Sequence, residues 1–556
     1  MFGIAELSAY IRVTNNILGL PSRGGLVSSH TLTGKSTRTR FGARVATFGS
    51  LSMTLGLLMF AMGCGSSSSS PFPINGSFSN GSLSGQYAFI LSGRQVLSSN
   101  GTTTEGAYRE AGVFTADGNG NITAGTEDFN SAGVFGSFSS TSITGKYSVA
   151  KDGTGVVQLN IGGGTETWAI TMVSSSKFYL TEADGFSNFA ANAAGQGEKQ
   201  DTSALSAVPS GTFVFKAHQT LSNPPSIGLI GQFNVSSGSA NGTADVIQGQ
   251  IGVAAPLTGT FTQLDSAGRG SVVLTINSVP NTFNYYIVNA STMLLLETDA
   301  SVLGIGRAEA QTGGPFTSAS FNGTYTFGTT GDTSNNVNGA STVGSFASSN
   351  GTIASGLYDT SQDGNITLGQ AFSGTYSGPD ANTGRVQVTI TPSGPGTGAA
   401  EIWYLVSPTR AFMLRFYPSA PNTLEDGTID QQSGSPFTNG SLKGQYAFLM
   451  QGSSSISTSG FQNLLTRVGT FIPDGNGNLN MNETTNLYTG GSGGAVITSP
   501  IFLTKGTYSV QSGARITASV PNLSSNIVLY MVSPSKAYIF QGDSGVQMFG
   551  PVELQQ

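Results

Sequence analysis

The sequence has one cysteine, two histidines and very little charge, and each shortage removes a class of function. A single Cys, at position 64, excludes an intrachain disulfide and any cysteine-based zinc site. With only His30 and His218, histidine-rich metal clusters are excluded as well. Charged residues make up 9 % of the chain, against roughly a quarter in an ordinary globular protein. The bases are also unevenly placed: Arg12, Arg23, Lys35, Arg38, Arg40 and Arg44 precede Cys64 with Glu6 as the lone acid. The remainder is therefore more acidic than the overall net charge of −6 implies, and it holds no basic run. Such a body is poorly suited to a phosphate backbone, so nucleic acid is not an expected partner. Long apolar runs are missing too, with one exception near the start.

What is present is strand material. Apolar residues reach 38 %, including 33 Phe and 17 Tyr, which separates the chain from disordered sequences. The 78 glycines and the many Ser, Thr and Asn suit tight turns, and Val, Ile, Phe and Tyr suit the strands between them. At 556 residues the chain calls for several domains rather than one core.

The one long apolar stretch is VATFGSLSMTLGLLMFAMG, residues 45–63. A basic segment from Lys35 to Arg44 precedes it, and Cys64 with a run of serines follows. Basic, apolar and small residues in that order are the parts of a secretory signal. Ala61-Met62-Gly63-Cys64 resembles a bacterial lipobox, although Ala61 stands where Leu is usual. The resemblance implies lipidation of Cys64 and a membrane partner through that lipid. An uncleaved span and a soluble secreted product are the alternatives; nineteen residues could just cross a bilayer. The expected organisation is a signal with a long basic n-region (1–63) and a Ser-rich tether (64–78). Four repeats follow, at 79–200, 201–314, 315–434 and 435–556.

The repeats rest on three segments that recur in one order. The first is G-x-Y/F-x-F, beginning at Gly85, Gly211, Gly323 and Gly444, with spacings of roughly 112 to 126 residues. Two copies share the lead-ins NGSLSGQYAFIL and NGSLKGQYAFLM. The second segment reads TGKYSV from Thr144, TGTFTQ from Thr258, SGTYSG from Ser373 and KGTYSV from Lys505. The third is a pair of apolar strands about a short turn, as in TWAITMVSSSKFYLTEAD. Tyr87, Phe89 and Leu91 share one face and Ala88 and Ile90 the other; Trp168, Ile170 and Met172 repeat the rule. That period of two belongs to strands with one face on a core. The expected fold is all-β: four tandem antiparallel meanders, each a seven- to eight-stranded up-and-down barrel, with a β-sandwich as the alternative.

The phrases G-x-Y-x-F, G-x-F-x-x-D-G-N-G-N (Gly112 to Asn121 and Gly469 to Asn478) and G-T-Y-S-V resemble those of tandem-repeat lipoproteins of soil-type Gram-negative bacteria. The similarity spans roughly residues 80 to 550 and implies a surface location, with no activity established for that group. Each unit is also loosely similar to small calycin barrels of the lipocalin and avidin kind, without shared binding residues.

Candidate chemistry is sparse. Asp117, Asn119 and Asn121, and likewise Asp474, Asn476 and Asn478, alternate oxygen ligands as calcium loops do. Ile122 and Leu479 stand where such a loop needs Gly, so a hairpin turn is the preferred reading. Glu182 with Asp184, and Glu297 with Asp299, place two carboxylates on one strand face, a spacing tolerable for glycoside hydrolysis. In Tyr285-Tyr286 and Trp403-Tyr404 one ring faces the core and the other outward, where it could stack on a sugar, with core packing the preferred reading. No catalytic residue and no cofactor are assigned. The expected role is a surface-exposed structural or adhesive array anchored in the outer membrane or on the cell surface. Its expected partner is an extracellular glycan or protein; barrels holding a small apolar ligand or a glycan are the alternative, and a glycosidase comes last.

Overall fold

The structure is a computed structural model. It describes residues 77–556 except 100–101, 132–135, 141, 163, 185–190, 222–225, 251, 300–301, 334–338, 395, 397, 455–462, 490–494, 522 and 544. The expected signal, Cys64 and the expected tether up to residue 76 lie outside the described residues, while Phe78 packs into the core of barrel 1.

Four antiparallel barrels follow one another, and the sandwich alternative is excluded. Barrel 1 is built from β1 (Ser84–Ser99), β2 (Thr102–Asp117), β3 (Asn121–Ser131), β4 (Gly136–Ser140), β5 (Ile143–Val149), β6 (Thr154–Ile161), β7 (Gly164–Ser174), β8 (Lys177–Glu182) and β9 (Ala191–Lys199). β1 pairs with both β2 and β9, and β3 pairs with β2 and β5, which closes the circuit; β4 is a short addition to β3. Barrels 2, 3 and 4 are closed meanders of eight strands over Gly211–Ala310, Gly323–Gln431 and Tyr446–Leu554. Among the described residues there is no α-helix, only five short 3-10 turns.

The repeated phrases have physical reasons. The opening glycines Gly85, Gly211, Gly323 and Gly444 all sit at positive φ, from 103° to 142°, a region a side chain rarely adopts. Gly112 faces the ring of Phe89, and a Cβ there would also lie 2.5 Å from the Thr126 carbonyl oxygen; Gly469 is as tightly placed. The NGSL lead-in forms a one-turn plug at the end of barrels 1 and 4. Its leucines, Leu83 and Leu442, are fully buried. The Asn80 side-chain oxygen accepts the Val149 amide at 2.9 Å, and Tyr147 donates its hydroxyl to the Leu83 carbonyl at 2.7 Å. Asn439, Val510, Tyr508 and Leu442 repeat both bonds in barrel 4.

The predicted alternation holds inside each barrel. Tyr87, Phe89 and Leu91 meet Trp168, Ile170 and Met172 in the core of barrel 1. The opposite face behaves differently from a solvent face. Ala88, Ile90, Ala111 and Val113 pack against Tyr286, Val288, Leu294 and Leu296 of barrel 2. Barrel 2 meets barrel 3, and barrel 3 meets barrel 4, through the corresponding faces. Barrel 4 then returns to barrel 1, where Ala447 and Val468 pack on Ala169, Val173 and Tyr179. At every junction the first strands of one barrel sit on the last strands of the next. It is a head-to-tail contact that closes after four steps into a ring.

Candidate functional site

Three sets of polar side chains are built by this arrangement: one at the junctions, one joining all four barrels, and one inside each barrel.

At the junctions an aspartate of one barrel is clamped by an arginine and a tyrosine of the next. Asp245, fully buried, accepts two N–H groups of Arg385 at 2.7 and 2.6 Å and the Tyr404 hydroxyl at 2.8 Å. Asp359 is held the same way by Arg515 and Tyr530, and Asp128 by Arg269 and Tyr286. Sheet register places Thr484, Thr154 and Thr171 at these three positions where barrel 4 meets barrel 1. That junction is held instead by Asn192 donating to the Asn486 carbonyl (2.9 Å) and by Asn486 donating to that of Glu182 (2.6 Å).

A chain of ion pairs joins all four barrels. Glu198 pairs with Arg307, Glu309 with Arg410 (2.7 Å), Asp430 with Lys536 (2.7 Å), and Glu553 with Lys177 (2.7 Å). Arg307 and Arg410 also reach Glu309 and Asp430 of their own barrels, so the pairs link up. Burial alone would raise the carboxyl of Glu309, but Arg410 and Arg307 hold it down at about 2. His218 belongs to the junction between barrels 2 and 3. Its ring nitrogens lie 3.0 Å from Asp332 and 3.1 Å from Asp426, which Lys216 also contacts. Burial lowers its pKa, the two aspartates more than reverse that, and it is pushed up to about 9.

The barrel interiors are filled. Phe89 and Trp168 meet edge to face at 4.8 Å, and Phe346 stacks on Trp403 at 5.6 Å. Barrel 3 keeps a cleft of about 180 Å³ beside Tyr358, Ile390, Arg415 and Tyr417. A second cleft, of about 340 Å³, lies between barrels 4 and 1 beside Ser82, Ser175, Lys443 and Gln445. Deeper in, the barrels hold buried acids, and those of barrels 2, 3 and 4 have polar or basic partners. Glu401 of barrel 3 accepts Arg415 at 2.6 Å and the Trp403 indole at 2.7 Å. Arg467 of barrel 4 lies 3.4 Å from Glu483. Glu297 of barrel 2 accepts the Gln219 amide at 2.6 Å; burial first, and Asp299 second, push its pKa up to about 9.

The sequence candidates fall as follows. Asp117 accepts the backbone amides of Asn119 (2.7 Å) and Asn121 (3.0 Å) and the Asn121 side-chain amide (2.8 Å). Asp474 does the same with Asn476 and Asn478. The hydrogen bonds from Asn121 and Asn119 hold the Asp117 carboxyl below its ordinary range. Asp184 and Asp299 each accept a backbone amide at the start of the neighbouring strand, while Glu182 and Glu297 point into their barrels. The outward rings of the two aromatic pairs are not exposed: Tyr286 and Tyr404 are fully buried against the preceding barrel's aspartate. Core packing, the preferred reading of these pairs, therefore extends to both rings, and sugar stacking is excluded because a neighbouring barrel occupies the outward face. Sequence reading also missed the junction triads. Their trace is the Arg and Tyr at Arg269/Tyr286, Arg385/Tyr404 and Arg515/Tyr530, absent from the first copy.

No protein family and no curated protein matches the chain. Among solved structures it is similar to a transferrin-binding protein B double mutant from Haemophilus parasuis Hp5, with 9 % identity over 69 % of this chain and 84 % of that one, at a TM-score of 0.17. It is similar, with the same identity and TM-score, to intact Ap-TbpB with its N and C lobes, over 69 % of this chain and 86 % of that one.

Proposed function

We propose that this chain is an exported, lipid-anchored surface protein whose four barrels form one rigid ring that presents its loops to an extracellular protein or glycan. The observation that carries this reading is the ring itself. Four apolar junctions and a linked chain of partly buried ion pairs make the repeats a single body rather than beads on a flexible string. Filled interiors favour a scaffold over a carrier, since small-molecule sites usually enclose roughly 300–1,000 Å³. The cleft in barrel 3 is smaller than that, and the one between barrels 4 and 1 is at the lower limit. Loops on a rigid frame are where partner contacts are usually carried.

The anchor is tested directly. Cys64→Ser abolishes palmitate labelling and releases the protein from membranes, and protease added to intact cells digests the wild type. Unchanged labelling of the variant, or full protection in intact cells, would remove the surface-lipoprotein reading.

A further inference from the structure

Barrel 1 differs from its three sisters in the polar part of its interior. Glu110, Glu127 and Glu182 are all buried there, at no more than 3 % exposure, and Glu166 is half-buried beside them. One oxygen from each of Glu110, Glu127 and Glu166 falls within 4.8 Å of the other two. Glu182 lies against Glu166. Among the described residues no Lys, Arg or His reaches this cluster through an ion pair or hydrogen bond.

The sister barrels show how the same positions are otherwise managed. Register places Arg415 of barrel 3 where barrel 1 has Glu182, and there it neutralises Glu401. It places Arg467 of barrel 4 where barrel 1 has Glu110, beside Glu483 at the position of Glu127. Barrel 2 has Leu229 and Ala244 at the positions of Glu110 and Glu127. Barrel 1 alone has acids at all of them and no internal base.

The carboxylates are also held in a particular way. Tyr108 donates its hydroxyl to one oxygen of Glu110 at 2.6 Å, and the Trp168 indole donates to one oxygen of Glu166 at 2.6 Å. The other oxygen of Glu110, one of Glu127 and both of Glu182 are buried without a hydrogen-bond partner. Unpaired buried carboxylate oxygens are costly, and a group left so must be neutral or meet a cation. Burial, and then the neighbouring acids, raise Glu110, Glu127 and Glu182 well above the ordinary carboxylate range. Two oxygens on opposite sides of a calcium ion stand about 4.8 Å apart, because each ligand lies about 2.4 Å from the metal. Oxygen donors alone, with several negative charges and flexible side chains, select a hard cation, calcium over zinc.

We propose that the interior of barrel 1 binds a hard divalent cation, calcium, through Glu110, Glu127, Glu166 and Glu182. Tyr108 and Trp168 are positioning residues that fix two of the carboxylates by their second oxygens. The site is distinct from the D-G-N-G-N loops, whose aspartates are occupied by their own backbone amides.

Terbium(III) tests this on the full chain, because Trp168 sits against a ligand and its excitation passes to a bound lanthanide. Wild type gives saturable terbium emission on tryptophan excitation, and calcium displaces it. Glu110→Gln and Glu182→Gln, near-isosteric changes that relieve repulsion in the metal-free barrel, weaken calcium binding by about tenfold or more. Trp168→Phe loses the emission and, with the hydrogen bond to Glu166 gone, weakens radioactive calcium binding, whereas Trp403→Phe keeps both. Asp117→Ala and Asp474→Ala change neither. Absence of saturable emission from the wild type at millimolar terbium overturns the proposal, as does emission that survives both glutamate changes in chains of native circular dichroism.

Discussion

His218 shows what a single residue contributes when two barrels close over it. Its side chain is 12 % exposed and faces Asp332 and Asp426, with Lys216 on the second aspartate and Arg109 nearby on Thr220. The folded pKa of about 9 exceeds the ordinary 6.5, so the protonated ring favours the folded chain. This stability is fully present below pH 6.5, where both states bind the proton, and is lost as pH rises through about 9. The shift corresponds to at most about 3 kcal/mol. The urea midpoint of the full chain is therefore expected to fall between pH 6.5 and 9, and His218→Gln to flatten that fall. An equal fall in the variant would assign the effect to other groups. At this scale the sequence was half legible. Alternation told that one ring of each aromatic pair faces a core, and the structure places Tyr285 and Trp403 there, both fully buried. It could not tell that Tyr286 and Tyr404 are buried too, because what covers them is another copy of the repeat. A solvent face and a junction face have the same period.

At the scale of one element, the repeated phrases were visible as text and their work was not. NGSL reads as a turn; in the structure it closes a barrel end and links a 3-10 turn to β5 through Asn80 and Tyr147. D-G-N-G-N reads by preference as a turn, because Ile122 and Leu479 stand where a calcium loop needs Gly, but the phrase does not show what its aspartate does. Asp117 spends both oxygens on Asn119 and Asn121, and Gly118 and Gly120 take the positive φ values the turn needs, 80° and 101°. A cation would have to displace three hydrogen bonds to enter. Millimolar calcium is therefore expected to leave the melting temperature of a Glu110→Gln/Glu182→Gln chain unchanged, since its loops are intact and its interior site is not. A micromolar loop site would raise that temperature by several degrees or more. If such a rise occurs and disappears with Asp117→Ala or Asp474→Ala, calcium belongs to the loops.

At the scale of the whole molecule, four repeats do not dictate a ring. Tandem units that contact only their neighbours usually make open solenoids. Here closure is built from residues far apart in sequence, since each junction aspartate lies 140 to 156 residues from its arginine. The four steps are nevertheless unequal. Three carry a buried Asp–Arg–Tyr triad, and the closing step carries Thr484, Thr154 and Thr171, with the Thr171 hydroxyl buried and unpartnered. The last two residues of the sequence reinforce that step. Gln555 donates to the Met172 carbonyl at 2.7 Å, as Gln200 and Gln311 grip Ile287 and Leu405 at the first two junctions, and the Gln556 amide reaches Val173. A buried pair worth keeping costs about 3–5 kcal/mol when one partner is removed, and among the described residues the closing step carries no buried pair, only the partly exposed Lys177–Glu553. Local opening follows the least stable contact, so the ring is expected to breathe between barrels 4 and 1. Hydrogen–deuterium exchange in the full chain should then be faster for strand segment 177–182 than for 292–297 and 410–416, and faster for 464–470 than for 227–232 and 340–345, which occupy the matching junction strands. Installing the triad with Thr484→Asp, Thr154→Arg and Thr171→Tyr should slow exchange at that junction and leave the other three unchanged. Uniform exchange across all four junctions would mean that apolar packing and the ion-pair chain, rather than the triads, set how firmly the ring is shut.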